Sequence, residues 1–100
     1  MNARLVCQQP RGNTKEIRLS HLPALLGRAE ESDVRVADSW VSRRHCRLEE
    51  RHGVLVVKDL GSRHGTWLND QRVEEAELHP GDRLSIGLTV LTADYQDEPN

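Results

Sequence analysis

Residues 44–70, RHCRLEERHGVLVVKDLGSRHGTWLND, decide the fold. Residues 44–49 alternate polar and apolar, which sets Cys46 and Leu48 on one face of a half-buried strand. Residues 54–57 form a continuous apolar run, the pattern of a strand covered on both faces. Trp67-Leu68-Asn69 then turns at Asn69-Asp70 into Gln71-Arg72-Val73, with Trp67 in an alternating strand and assigned to the core. Short apolar stretches closed by turn residues are the rhythm of an all-β sandwich or barrel.

The same rhythm runs outward in both directions. Ala3–Gln8 reads as a first strand, ended by Gln9-Pro10-Arg11-Gly12-Asn13. Residues 15–20 alternate with Ile17 and Leu19 on one side, so the two strands read as a hairpin. Leu22, Leu25 and Leu26 fit a helical period, but Pro23 and Gly27 bracket a segment too short for a stable helix; residues 24–28 are assigned as a strand. Val34-Arg35-Val36 alternates. Toward the C-terminus, His79-Pro80-Gly81-Asp82 is a turn by its chemistry, Arg83–Ile86 is an alternating strand, and residues 88–95 close the domain. Residues 1–95 are expected to form one domain and residues 96–100 a tail.

One hundred residues suffice for one hydrophobic core without disulfides or a metal. Charged residues make up 30% of the chain, yet the net charge is only -2. That balance argues against a general nucleic-acid or membrane-surface binder, so any anion site must be a local cluster. Cys7 and Cys46 belong to no C-x-x-C pattern, which leaves zinc or redox chemistry little to stand on. The apolar strip around Leu5 to Cys7 is well short of a signal-peptide core, and no run approaches the ~20 apolar residues of a membrane helix. The expected location is the cytoplasm, with both thiols reduced.

In a sandwich, function sits on loops more often than on strands. The irregular stretches here are residues 29–33, 37–41 and 60–66. They border Gly27-Arg28, Ser42-Arg43-Arg44-His45 and Gly61-Ser62-Arg63-His64-Gly65-Thr66, so each loop sets a guanidinium beside glycine or hydroxyl residues. Phosphate requires such a set. Arginine offers a fork of donors, serine a neutral donor, and glycine lets backbone N–H groups approach closely. Taken singly, each residue is an ordinary polar loop residue. His21, His52 and His79 are scattered and lack the spacing of a zinc helix. Ser42, His45 and Asp59 lack the nucleophile elbow that a hydrolase triad would need. Glu30-Glu31, Glu49-Glu50 and Glu74-Glu75 read as solvated charge in turns or strand ends. Trp40 can equally be a packed loop anchor or an exposed contact.

Together, the Gly27-Arg28 pair, the Ser42-Arg43-Arg44-His45 box and the run from Asp59 to Asn69 resemble the forkhead-associated (FHA) domain family. Residues 78–87, Leu78-His79-Pro80-Gly81-Asp82-Arg83-Leu84-Ser85-Ile86-Gly87, match that family's closing hairpin, so the resemblance covers almost the whole chain. It implies a β-sandwich of two sheets and about eleven strands, with recognition loops at one end. It also implies a phosphothreonine-dependent interaction module that reads extended segments of partner proteins marked by a Ser/Thr kinase. By position, Arg28 would bond the phosphate, Ser42 would donate its hydroxyl, and Arg43 and Arg63 would add phosphate or backbone contacts. His45 would brace the loops, Gly27, Gly65 and Thr66 would shape them, and Asn69 would close the following turn. His64 stands where the family usually has the asparagine that holds the partner's backbone, and a histidine lacks the paired amide geometry. A phosphorylation-independent scaffold on the same sandwich is the rival reading. No catalytic residue, cofactor, metal, nucleic acid or membrane partner is expected, and the module is expected to act as a monomer.

Overall fold

A hairpin opens the chain: β1 (Ala3–Gln8) pairs antiparallel with β2 (Thr14–Leu19), Ala3 opposite Leu19 and Gln8 opposite Thr14. The computed structural model describes residues 1–96, and among them lie eleven strands and no helix. The others are β3 (Ala24–Gly27), β4 (Val34–Arg35), β5 (Cys46–Arg51), β6 (Val54–Asp59), β7 (Thr66–Leu68), β8 (Gln71–Val73), β9 (Glu75–Leu78), β10 (Arg83–Ile86) and β11 (Thr89–Tyr95). They form a six-stranded sheet ordered β2-β1-β11-β10-β7-β8 and a five-stranded sheet ordered β4-β3-β5-β6-β9. Pairing is antiparallel except between β3 and β4. The expected tail at residues 96–100 lies outside the described residues beyond Gln96.

Alternation delivers the core. Leu5, Leu26, Leu48, Leu55, Leu84, Ile86 and Leu91 are fully buried between the sheets, and each such side chain stabilises by about 1.5–3 kcal/mol relative to exposure. Cys46 and Leu48 point inward as the alternation of residues 44–49 requires. Tyr95 bolts the layers together: from β11 its hydroxyl donates to the Leu78 carbonyl at 2.5 Å and accepts the Leu55 N–H at 3.2 Å.

Two assignments change. Trp67 is not core; it is 38% exposed, because Thr66 and Leu68 take the inward positions of β7. The apolar run of β6 is not sandwiched between two layers: Leu55 and Val57 face the core, while Val56 is buried on the outer face between its register partners Glu49 and Glu77. Glu74-Glu75 does lie at a strand end: Glu75, exposed, opens the edge strand β9, whose Leu78 pairs with Leu55 and Ala76 with Val57.

Candidate phosphopeptide site

At one end of the sandwich the loop after β3 lies against the loop before β5, zipped by backbone hydrogen bonds. The Arg28 N–H donates to the Ser42 carbonyl at 3.0 Å and the Ala29 N–H to the Arg43 carbonyl at 3.2 Å. Gly27 permits this approach. A Cβ there would stand 2.1 Å from the Arg43 carbonyl oxygen, a backbone atom with no room to retreat.

His45 fastens the third loop to the other two. The Ser42 N–H donates to Nδ1 at 3.1 Å, so Nδ1 carries no proton, and Nε2 donates to the Gly65 carbonyl at 2.8 Å. This pairing assigns the neutral Nε2–H tautomer. The ring is fully buried, and that burial pushes its pKa below the usual 6.5 against the pull of the Gly65 bond.

Asp59 shapes the third loop from within. Its Oδ2 accepts the N–H groups of Gly61 and Ser62, both at 3.0 Å. Its Oδ1 accepts the Ser62 hydroxyl at 2.5 Å and the buried Thr66 hydroxyl at 2.6 Å. Burial works against the charge, but the hydrogen bonds from Ser62, Thr66 and Gly61 outweigh it and hold the carboxyl below its ordinary 3.8. Gly65 follows at φ +89°, in the left-handed region that favours glycine, and turns the chain into β7.

This scaffold aims Arg28, Ser42, Arg43, Arg63, His64 and Trp40 into one open depression of about 310 Å³. The Ser42 Oγ accepts the Arg63 N–H at 3.0 Å, leaving the hydroxyl hydrogen free to donate outward. Arg28 Nε is anchored on the Val41 carbonyl at 3.0 Å, which leaves the two terminal nitrogens to face a ligand. The described ion pairs use Arg4, Arg47, Arg51 and Arg83, and none uses Arg28, Arg43 or Arg63. An anion entering the depression meets charge that no carboxylate among the described residues has neutralised.

Five of the sequence-selected residues, Arg28, Ser42, Arg43, Arg63 and His64, thus line the depression, and Gly27, His45, Gly65 and Thr66 lie beneath it. Asn69 does not join them. At φ 45° it closes the β7–β8 turn, where its amide donates to Asp82 at 3.1 Å and its carbonyl accepts the Arg83 N–H at 2.9 Å. Sequence reasoning missed two supports. One is Asp59, whose spacing to Ser62 and Thr66 was a usable signal. The other is Asp38, buried, accepting the Trp40 N–H at 2.9 Å and, from across the sandwich, the Leu88 N–H and Thr89 hydroxyl, both at 2.8 Å. Only the Asp-Ser-Trp turn chemistry of residues 38–40 hinted at it.

The family model of the FHA domain matches residues 24–87, the segment that builds all three loops. This chain belongs to the FHA domain family. It is 41% identical over 76 residues to the FHA domain-containing protein FhaB of Mycolicibacterium smegmatis, covering 75% of this chain and 49% of that one. It is 39% identical over 75 residues to the glycogen accumulation regulator GarA of the same organism, covering 72% and 48%. The chain therefore spans about half the length of these curated relatives. An FHA domain solved in a study of phosphothreonine-dependent FHA domain interactions superposes with a TM-score of 0.84 at 27% identity, covering 96% of this chain and 98% of that one. The FhaA FHA domain in complex with the intracellular domain of Rv3910 superposes with a TM-score of 0.80 at 28% identity, covering 91% and 98%. In this FHA domain β1, β2 and β11 fall outside the family match, whereas every residue of the depression falls inside it.

Proposed function

We propose that this FHA domain binds phosphothreonine in extended segments of partner proteins that a Ser/Thr kinase has modified. FHA domains are interaction modules rather than enzymes. The observation that carries the reading is the convergence of Ser42 with Arg28, Arg43 and Arg63 on one depression, the three guanidinium groups making no ion pair among the described residues. A phosphate dianion there accepts from the Arg28 terminal nitrogens and the Ser42 hydroxyl, each charged bond contributing ~1.5–3 kcal/mol. Ordering a flexible segment offsets part of that gain, so an isolated peptide binds modestly.

Charge alone does not separate phosphothreonine from phosphoserine, since both carry nearly two negative charges. That choice falls to the threonine methyl against the wall that His64 forms above the buried Gly65 and Thr66. One buried methyl is worth roughly 0.8 kcal/mol, about a fourfold preference. The test is a titration with three otherwise identical peptides carrying threonine, phosphothreonine or phosphoserine. The expected order is phosphothreonine, then phosphoserine, with no measurable binding of the unmodified form. Equal affinity for all three would remove the phosphate reading and leave a phosphorylation-independent scaffold.

A further inference from the structure

Two tryptophans hold one histidine at the rim of the depression. The Trp67 Nε1–H donates to the His64 carbonyl at 3.1 Å, which pins the loop backbone. The Trp40 ring lies 4.8 Å from the His64 imidazole, centroid to centroid, tilted by 57°. The chain has three aromatic residues of the Phe, Trp and Tyr kind, and two of them serve this contact. Burial does not explain their placement, since Trp40 is 51% and Trp67 38% exposed. The Trp40 backbone is fixed in turn by the buried carboxylate of Asp38. His64 is thus oriented before any ligand arrives, yet its ring nitrogens make no hydrogen bond within the described residues. A fixed ring with both nitrogens unused, beside Arg28, Ser42, Arg43 and Arg63, is prepared for a partner from outside.

We propose that His64 is a direct ligand of the phosphothreonine phosphate and that it carries a second ring proton in the complex. The proposal rests on the phosphothreonine reading above. Arg28 from the first loop, Arg43 from the second and Arg63 from its own loop line the same depression as the ring. Behind it stands His45, held neutral between the Ser42 N–H and the Gly65 carbonyl. The carboxylates of Asp38 and Asp59 are committed to loop donors. A phosphate dianion held among those arginines brings two negative charges to the ring. The imidazolium then donates a charged hydrogen bond to a phosphate oxygen and presents its charge to the Trp40 indole, which attracts a cation more than a neutral ring. One proton is taken from solvent on binding, and one N–H bond forms.

The test is calorimetric titration of a phosphothreonine peptide into the whole chain between about pH 6 and about pH 8, where histidine changes charge. Two buffers of different ionisation enthalpy count the protons, for the parent and for His64→Asn. The second ionisation of the phosphate, near pH ~6, is common to both, so their difference belongs to His64. The parent is expected to take up more protons than His64→Asn and to gain severalfold in relative affinity as the pH falls. Should His64→Asn not fold, the His64 ring proton resonance of the parent serves instead, and its titration midpoint is expected to rise on peptide binding. Equal proton uptake in parent and variant, or an unmoved midpoint, would overturn the role of His64 while leaving phosphothreonine binding intact. Failure of the parent to bind the peptide at any pH would overturn the phosphothreonine reading instead.

Discussion

His45 Nε2 donates to the Gly65 carbonyl at 2.8 Å across twenty residues of chain, and through that bond the loop of the family's serine is tied to the loop of its glycine. The other ring nitrogen accepts the Ser42 N–H. One neutral imidazole therefore sets the position of the Ser42 backbone and of the opposite wall together. Protonation at Nδ1 would break the bond to the Ser42 N–H and leave the one to Gly65.

The sign of the resulting pH dependence follows from burial, which lowers the His45 pKa in the folded state. The neutral ring's contribution is present above the ordinary value of 6.5. As the pH falls below it, the unfolded chain takes up a proton that the folded chain refuses, and stability is lost until the folded pKa is passed. Denaturation midpoints should fall from neutral to mildly acidic pH. His45→Ala should cost about 1–3 kcal/mol at neutral pH and flatten this slope. An unchanged midpoint together with lost binding would make His45 a ligand contact rather than a brace.

Arg28→Ala should weaken phosphopeptide binding roughly tenfold to a hundredfold or more while leaving the fold intact. Its side chain is exposed and, among the described residues, gives the protein only the bond from Nε to the Val41 carbonyl. Peptide titration with a parallel thermal melt checks both halves. Parent-like affinity, or an unfolded variant, would count against the assignment.

Gly27→Ala tests the loop zipper rather than the ligand contacts. The new methyl would meet the Arg43 carbonyl at 2.1 Å and force apart the backbone that carries Arg28 and Ser42. Overpacking of this kind costs typically ~1–3 kcal/mol. The variant should be less stable and also bind weakly, although every side chain of the depression is retained. A stable variant with full affinity would show that the loops tolerate separation.

Asp59→Asn keeps the size of the side chain and removes its charge. The carboxylate serves two backbone and two hydroxyl donors, so the amide cannot satisfy them all. A loss of about 3 kcal/mol is expected near neutral pH, since hydrogen bonds to a charged group are worth ~1.5–3 kcal/mol each. In the parent this contribution fades only as the pH falls below the ordinary 3.8 and through the lower folded value, whereas the His45 contribution begins to fade below 6.5. Denaturation curves of parent and variant at neutral and strongly acidic pH should therefore converge at the acid end.

The strand class, the turns and the set of loop residues were legible from the chain alone, because alternation has a period of two and turn residues carry local signals. So was the polar cluster of Arg28, Ser42, Arg43 and Arg63, since those residues sit on segments whose spacing follows a family pattern. Alternation, however, names two faces without saying which one is inward. In β7 the polar Thr66 is buried because Asp59 accepts its hydroxyl, and that bond turned Trp67 out to brace His64. The edge strand β9 exists because β6 pairs with it, against the hydrophilic look of its own residues. Likewise Asp38 earns its burial from Leu88 and Thr89, fifty and fifty-one residues away. Composition and pattern determined what kind of protein this is, since they act locally along the chain. How the loops carrying those residues are held was decided by tertiary structure, because the hydrogen bonds that brace them join residues far apart in sequence.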